Sequence, residues 1–485
     1  MIYKKKSISR KSLRFFKDFS YAVSSNLISL LISTLVVLIV PRMIGVEDYG
    51  YWQLYLFYTS YVGFLQFGWN DGIYLRYGGN EYENLNKGVF SAQFWLLFIS
   101  QTVIAIIIIF LSSYLINDVD RKFILLMTAL CLIVVGVRAM PLFILQATNK
   151  IKEFAQITII GRVLYFVLIF SFLLLGINEF RIMIYADLLG KLVSLLYAMY
   201  CCKDIIFHKF HSLRIIFREI TTNINVGINL MFANIASLLI LGVVRFGIEH
   251  SWDVSTFGKV SLTLSISNMM MIFINAVGIV LFPVLRRVNQ NKLNKIYVTI
   301  SPLLMTIFLG LLISYYPLKI ILNSWLTEYS DSILYMALVF PMFVYEGKMA
   351  LLINTYLKTL RKEKLMLQIN LISLGLSVLL TLLSTIILKN LTLAILSIVV
   401  ILAFRTILAE WYLSKILSIS IFKNVVLESI IIFMFIVIGW FGGVTHSLFP
   451  VVFYSFIYVL YLFVNRKELF QAAKDIKLII NNGDF

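Results

Sequence analysis

About fourteen runs of roughly 20 largely apolar residues follow one another along this chain, separated by short polar breaks, and no other feature restricts its folds so sharply. A run of that length crosses the hydrocarbon of a bilayer as a helix. The runs cover approximately 18–40, 51–75, 88–116, 123–147, 155–176, 182–202, 224–247, 257–283, 297–318, 333–357, 366–388, 391–413, 425–444 and 449–464. They are uniformly apolar rather than alternating in short segments, which selects helices over a barrel. With 60% of 485 residues hydrophobic and 14% charged, ordinary aqueous cores could not hide the apolar side chains. The expected fold class is therefore an all-α polytopic membrane protein of about 14 transmembrane helices.

The first residues, MIYKKKSISRKSLRFFKDF, are too basic and too extended for a cleaved signal peptide, and are read as a retained cytoplasmic arm over 1–17. Further basic clusters lie at Lys203 to Arg218, Arg286 to Lys295, Lys358 to Lys364 and Arg466 to Lys477. Intervening breaks such as GIEHSWDVS are poor in base. That asymmetry places both termini in the cytoplasm. The net charge of +18 is spread along the inner helix ends without any nucleic-acid motif, so it speaks for topology and anionic-lipid contact, not nucleic acid. Cys131, Cys201 and Cys202 fall in or beside spans, and only His208 and His211 lie close together. Neither a disulfide framework nor a metal site is expected.

SNLISLLI (Ser25 to Ile32) returns as ANIASLLI (Ala233 to Ile240), with Asn26 and Asn234 separated by 208 positions (234 − 26). The same register pairs VEDYG (Val46 to Gly50) with VSTFG (Val254 to Gly258). A weaker echo joins ILQATNKIKEF (Ile144 to Phe154) to INTYLKTLRKEKL (Ile353 to Leu365). Six spans separate the copies, an even number, so both copies enter the membrane in the same direction. The reading is two parallel six-helix lobes, 18–215 and 216–415, followed by two additional helices and a tail over 416–485.

Polar side chains inside the spans are the candidate site. Asn26 and Ser29 recur as Asn234 and Ser237, while Asn268 and Asn275 fall on one face of span eight. Such stripes face a cavity or bind helices together. Charged groups at membrane depth are costly, which singles out Arg138, Arg162, Asp187, Lys191, Arg245, Glu346, Lys348, Arg405 and Glu410. Asp187 and Lys191, one turn apart, are expected to neutralise each other. Arg138 and Lys348 occupy the repeat-related spans four and ten and rank first, Arg138 ahead. Arg245 lies near an outer mouth, and Arg405 and Glu410 lie close enough to the inner end of their span to snorkel. A cationic lumen favours an anionic substrate, since guanidinium matches phosphate. No G-x-x-x-x-G-K-[ST] loop is present, so ATP hydrolysis by a P-loop is excluded, and an ion-driven (proton or sodium gradient) or passive transporter without cofactor or catalytic residues remains.

PRMIGVEDYGYW after span one, GWNDGIYLRYGG closing span two, LQATNKIKEFAQITIIGRV between spans four and five, and FPVLRRV closing span eight together resemble a polysaccharide flippase of the Wzx type. This type belongs to the multidrug/oligosaccharidyl-lipid/polysaccharide exporter superfamily. The resemblance implies two lobes in a V around a cationic cavity in the bacterial plasma membrane. It also implies a monomer that flips an undecaprenyl-diphosphate-linked oligosaccharide for O-antigen or capsule, with a polysaccharide polymerase and chain-length machinery downstream. Arg76 matches the family's basic residue at the inner end of span two, and Arg286 or Arg287 its counterpart after span eight. Three alternatives stay open: a multidrug cation antiporter, a peptidoglycan-precursor flippase, and a membrane oligosaccharide polymerase. The antiporter calls for acidic groups, and spans one, three, four and five carry none beyond Asp18 at the first position of span one; the polymerase calls for a large external loop, and the longest outer break, Leu318 to Ser332, is short.

Overall fold

A computed structural model describes residues 10–210, 213–271, 274, 293–442 and 449–481. Helices account for nearly all of it, and no strand occurs among the described residues. Buried backbone N–H and C=O groups that cannot reach water must pair within their own segment, and long apolar runs do so only as helices. Short breaks re-enter helix through side-chain caps. Asn86 accepts from Val89 N–H, Asp118 from Asp120 and Arg121 N–H, Asp253 from Thr256 N–H and Asn390 from Leu393 N–H.

Two compact units divide the chain, Met1–Ile235 and Ala236–Phe485. Unit 1 contains α1 (Arg10–Ile44), α2 (Val46–Thr59), α3 (Trp69–Tyr77), α4 (Lys87–Leu115), α5 (Val119–Ala147), α6 (Ile151–Leu174), α7 (Phe180–Cys201), the single turn α8 (Lys203–Ile206) and the first part of α9 (Leu213–Ser251). Unit 2 takes the rest of α9, then α10 (Val254–Met269), α11 (Leu293–Leu311), α12 (Tyr315–Trp325), α13 (Ser330–Val339) and α14 (Met342–Gly347). It continues with α15 (Asn354–Thr359), α16 (Glu363–Thr381), α17 (Leu391–Leu417), α18 (Phe422–Phe441), α19 (Phe449–Val464) and α20 (Arg466–Asn481).

Among the described residues, ten helical segments are long and apolar enough to cross a membrane, and two bent pairs raise the number to twelve. The protein is thus a multi-pass membrane protein. Two runs of the expected fourteen, 51–75 and 257–283, are not among these segments. Run 51–75 is interrupted by a 3₁₀ turn at Val62–Gln66, and Phe67 and Gly68 then take φ of 53° and 77°. Positive φ at two successive residues stops the helical hydrogen-bond ladder. Run 257–283 begins as α10, and its second half lies largely outside the described residues.

Packing divides the chain inside α9, whereas the sequence reading divides it at 215/216. Glycines explain the difference. A Cβ on Gly72 of α3 would lie 1.9 Å from the Asn223 carbonyl oxygen, and one on Gly227 would lie 2.0 Å from the Gly68 oxygen. Bare backbones therefore touch, as small residues four apart allow, and hold the start of α9 in unit 1. Arg76 Nη1 donates to Asn223 Oδ1 at 2.5 Å and pairs with Glu219 at 2.8 Å; Asn223 Nδ2 donates to Gln93 Oε1 at 2.9 Å.

Candidate functional site: a cationic cavity in unit 1

Helices α5, α6 and α7 pack against one another, and the α6–α7 crossing is set by two more glycines. A Cβ on Gly190 would meet the Gly161 oxygen at 2.7 Å, and one on Gly161 would meet the Ser194 Cβ at 2.8 Å. This close crossing lets one small side chain join all three helices. Ser194 on α7 donates to the Ile157 carbonyl of α6 at 2.8 Å and accepts from Arg138 Nη1 of α5 at 3.0 Å. One turn past Arg138, Pro141 lacks the N–H that the Val137 carbonyl would otherwise accept.

Arg138, Thr158, Gly161, Arg162, Tyr165, Asp187 and Lys191 line a cavity of about 110 Å³. Its lining carries three cations and one anion, a net charge of two positive. The anion is already engaged: Asp187 accepts from Tyr55 OH at 2.7 Å and from Lys191 Nζ at 2.5 Å. The one-turn neutralisation expected for that pair is the contact observed. Neither guanidinium has a carboxylate partner among the described residues, and Arg138 Nε is buried without a hydrogen bond there. A buried N–H donor left unpaired costs free energy, so this cavity offers an anion both charge and a vacant donor.

The other expected site residues are placed differently. Arg76 belongs to the α3–α9 contact described above. Arg245 donates from Nη2 to Ser261 Oγ at 3.0 Å, with its guanidinium carbon 5.2 Å from the centre of the Phe257 ring. Arg405 does not snorkel. It is 3% exposed and reaches Asn370 Oδ1 (3.1 Å), Glu346 Oε1 (3.2 Å) and Ser237 Oγ (2.8 Å), binding α17 to α16, α14 and α9. Lys348, expected to face substrate, is instead 3% exposed and held between Glu410 at 2.6 Å and Glu428 at 2.7 Å. Two carboxylates satisfy the ammonium, which removes it as a free cation. Asn26, Asn234 and Asn268 are exposed on their helices and Ser29 is half-buried; none lines the unit 1 cavity. Asn275, Arg286 and Arg287 lie outside the described residues.

Sequence reasoning missed Thr158, Tyr165, Ser194 and Tyr55, which are ordinary residues until the helices meet. It also missed Glu428, whose signal was available: a carboxylate within the apolar run 425–444.

A family model described as "Polysaccharide biosynthesis protein" matches residues 15–289, more than half of the chain. No curated protein matches in sequence. Among solved structures, the chain is similar to the lipid II flippase MurJ in an inward closed conformation, at TM-score 0.63 and 15% identity over 93% of this chain and 99% of that one. It is also similar to an inward-facing multidrug resistance MATE family transporter of the MOP superfamily, at TM-score 0.59 and 14% identity over 80% of this chain and 95% of that one. A point mutant of a MATE protein aligns at TM-score 0.54 and 15% identity over 81% of this chain and 93% of that one. The chain shares its fold with these transporters.

Proposed function

The chain belongs to the polysaccharide biosynthesis protein family, and from that premise and the cationic cavity of unit 1 we propose that it is a flippase of the Wzx type. It moves an undecaprenyl-diphosphate-linked oligosaccharide from the inner to the outer leaflet of a bacterial plasma membrane by alternating access. Both termini face the cytoplasm, the side favoured by the basic clusters.

One observation carries the reading: Arg138 and Arg162 line a single cavity with no carboxylate partner for either among the described residues. Two unneutralised guanidiniums repel each other and gain most from a ligand with spread negative charge. A diphosphate diester carries about two negative charges on oxygens suited to guanidinium, equal and opposite to the net charge of the lining. In this reading the cavity serves the diphosphate, while the glycan and the polyprenyl tail lie beyond it. A cationic drug would meet repulsion here, which disfavours the multidrug antiporter reading.

The test uses Arg138→Ala and Arg162→Ala. Each removes a charge-assisted contact of about 2 kcal/mol, so binding of undecaprenyl diphosphate by the purified protein should weaken roughly 30-fold. In cells, surface glycan should fall at unchanged protein level, and lipid-linked repeat units should collect on the cytoplasmic leaflet. Undiminished binding and normal glycan in both variants would remove the cavity from the mechanism.

A further inference from the structure

Unit 2 contains a second buried ionic cluster that the proposed transport reading does not use. Lys348 opens a π-helical turn, Lys348–Ile353, between α14 and α15. Its Nζ lies 2.6 Å from Glu410 of α17 and 2.7 Å from Glu428 of α18, and the three side chains are 4%, 3% and 8% exposed. Tyr297 of α11 donates to the other Glu410 oxygen at 2.8 Å. Tyr345 of α14 and Tyr461 of α19 also face Glu428 and, among the described residues, complete its titratable surroundings.

Charge counting sets this cluster apart. Asp187 with Lys191, and Glu346 with Arg405, are one cation to one anion. Here one ammonium meets two carboxylates, and no other Lys or Arg reaches either carboxylate among the described residues. Fully ionised, the cluster would bury one uncompensated negative charge. A group so placed takes up a proton rather than remain charged in a low dielectric. We propose that Glu410 and Glu428 form a proton-binding site, sharing one exchangeable proton across Lys348. Because the two acids are coupled through one ammonium, the proton belongs to the pair and not to either residue.

Position gives the site a consequence. Glu410 lies seven residues before the end of α17 at Leu417, and Glu428 lies six residues after the start of α18 at Phe422. At about 1.5 Å per residue both are roughly 10 Å from helix ends. The charge asymmetry assigns those ends to the cytoplasm, so the proton exchanges with that side. The cluster is also the ionic tie between α18, the first helix beyond the repeat, and the helices of the second copy. Loss of the proton leaves an excess charge at that tie and loosens α18.

Infrared spectroscopy of the purified full-length protein tests this, because a protonated carboxyl has a C=O stretch separate from carboxylate. The wild type at neutral pH should show that band, and Glu428→Gln and Glu410→Gln should each remove one carboxyl's worth. Glu346→Gln, which alters a balanced pair, should not. The folded protein holds a proton that the unfolded chain has released, so the wild-type unfolding temperature should fall as pH rises above the ordinary carboxyl value of about 4.3 until the site releases its proton, and Glu428→Gln should flatten that slope. Absence of the band in the wild type overturns the proposal whether or not the variants fold. Retention of its full intensity in both cluster variants overturns it as well. Neither result touches the cavity of unit 1.

Discussion

Gly72→Ala puts one methyl group where α3 and α9 meet backbone to backbone. The new Cβ would lie 1.9 Å from the Asn223 oxygen and 2.5 Å from its carbonyl carbon, and neither atom can rotate away. Ordinary contact begins near 3.4 Å, so the start of α9 must retreat by about 1.5 Å, the overpacking case that costs about 1–3 kcal/mol. That retreat stretches the 2.5 Å bond from Arg76 to Asn223 and the 2.9 Å bond from Asn223 to Gln93 past useful length. Each lost bond adds about 1 kcal/mol, while better helix propensity returns about 1 kcal/mol. The net loss is about 3 kcal/mol. The control is Gly375→Ala in α16, where nothing lies within 4 Å of the added Cβ and only the propensity gain remains. Thermal unfolding of both variants in the same detergent measures the difference. Gly72→Ala should unfold well below the wild type and Gly375→Ala at or slightly above it. Coincident curves for the two variants would refute the close-approach argument.

Two further outcomes follow from buried charge and capping. Lys348→Met leaves Glu410 and Glu428 facing each other without their ammonium, which should cost about 3–5 kcal/mol in an unfolding titration; a loss under about 1 kcal/mol would show that the lysine is dispensable. Asp253 caps α10 through a 2.9 Å bond from Thr256 N–H, and Asp253→Ala should cost about 1 kcal/mol at neutral pH. Hydrogen bonding from Thr256, its side chain first and its backbone as well, holds the Asp253 carboxyl below its ordinary range. The contribution is therefore present above the unfolded value of about 3.9 and disappears as pH falls through the lower folded value. The wild-type and variant unfolding curves should converge only in acid, and convergence at neutral pH would contradict the cap.

Much of the architecture was legible before any coordinates. Run length alone announces spans, because the thickness of hydrocarbon is a property of the membrane and not of the partner helix. The polar breaks between runs were also legible, and the structure shows Asn86, Asp118, Asp253 and Asn390 capping the helices that follow them. Pairing one turn apart was legible too, as Asp187 and Lys191 show. Run 51–75 was misread as one helix because hydropathy does not register the left-handed backbone at Phe67 and Gly68.

Long-range partners were not legible. Lys348 and Arg138 look equivalent in sequence, each a cation deep in a repeat-related span. Glu410 and Glu428 enclose the first, 62 and 80 residues further on, while the second meets only the Ser194 hydroxyl among the described residues. Sequence by itself determined an all-helical multi-pass membrane protein, because that property follows from how each segment meets lipid. Tertiary structure decided which cations remain available to an anion. A charge in low dielectric takes its character from whatever lies within a few ångströms, and packing at Gly161, Gly190 and the π-helical turn sets those neighbours.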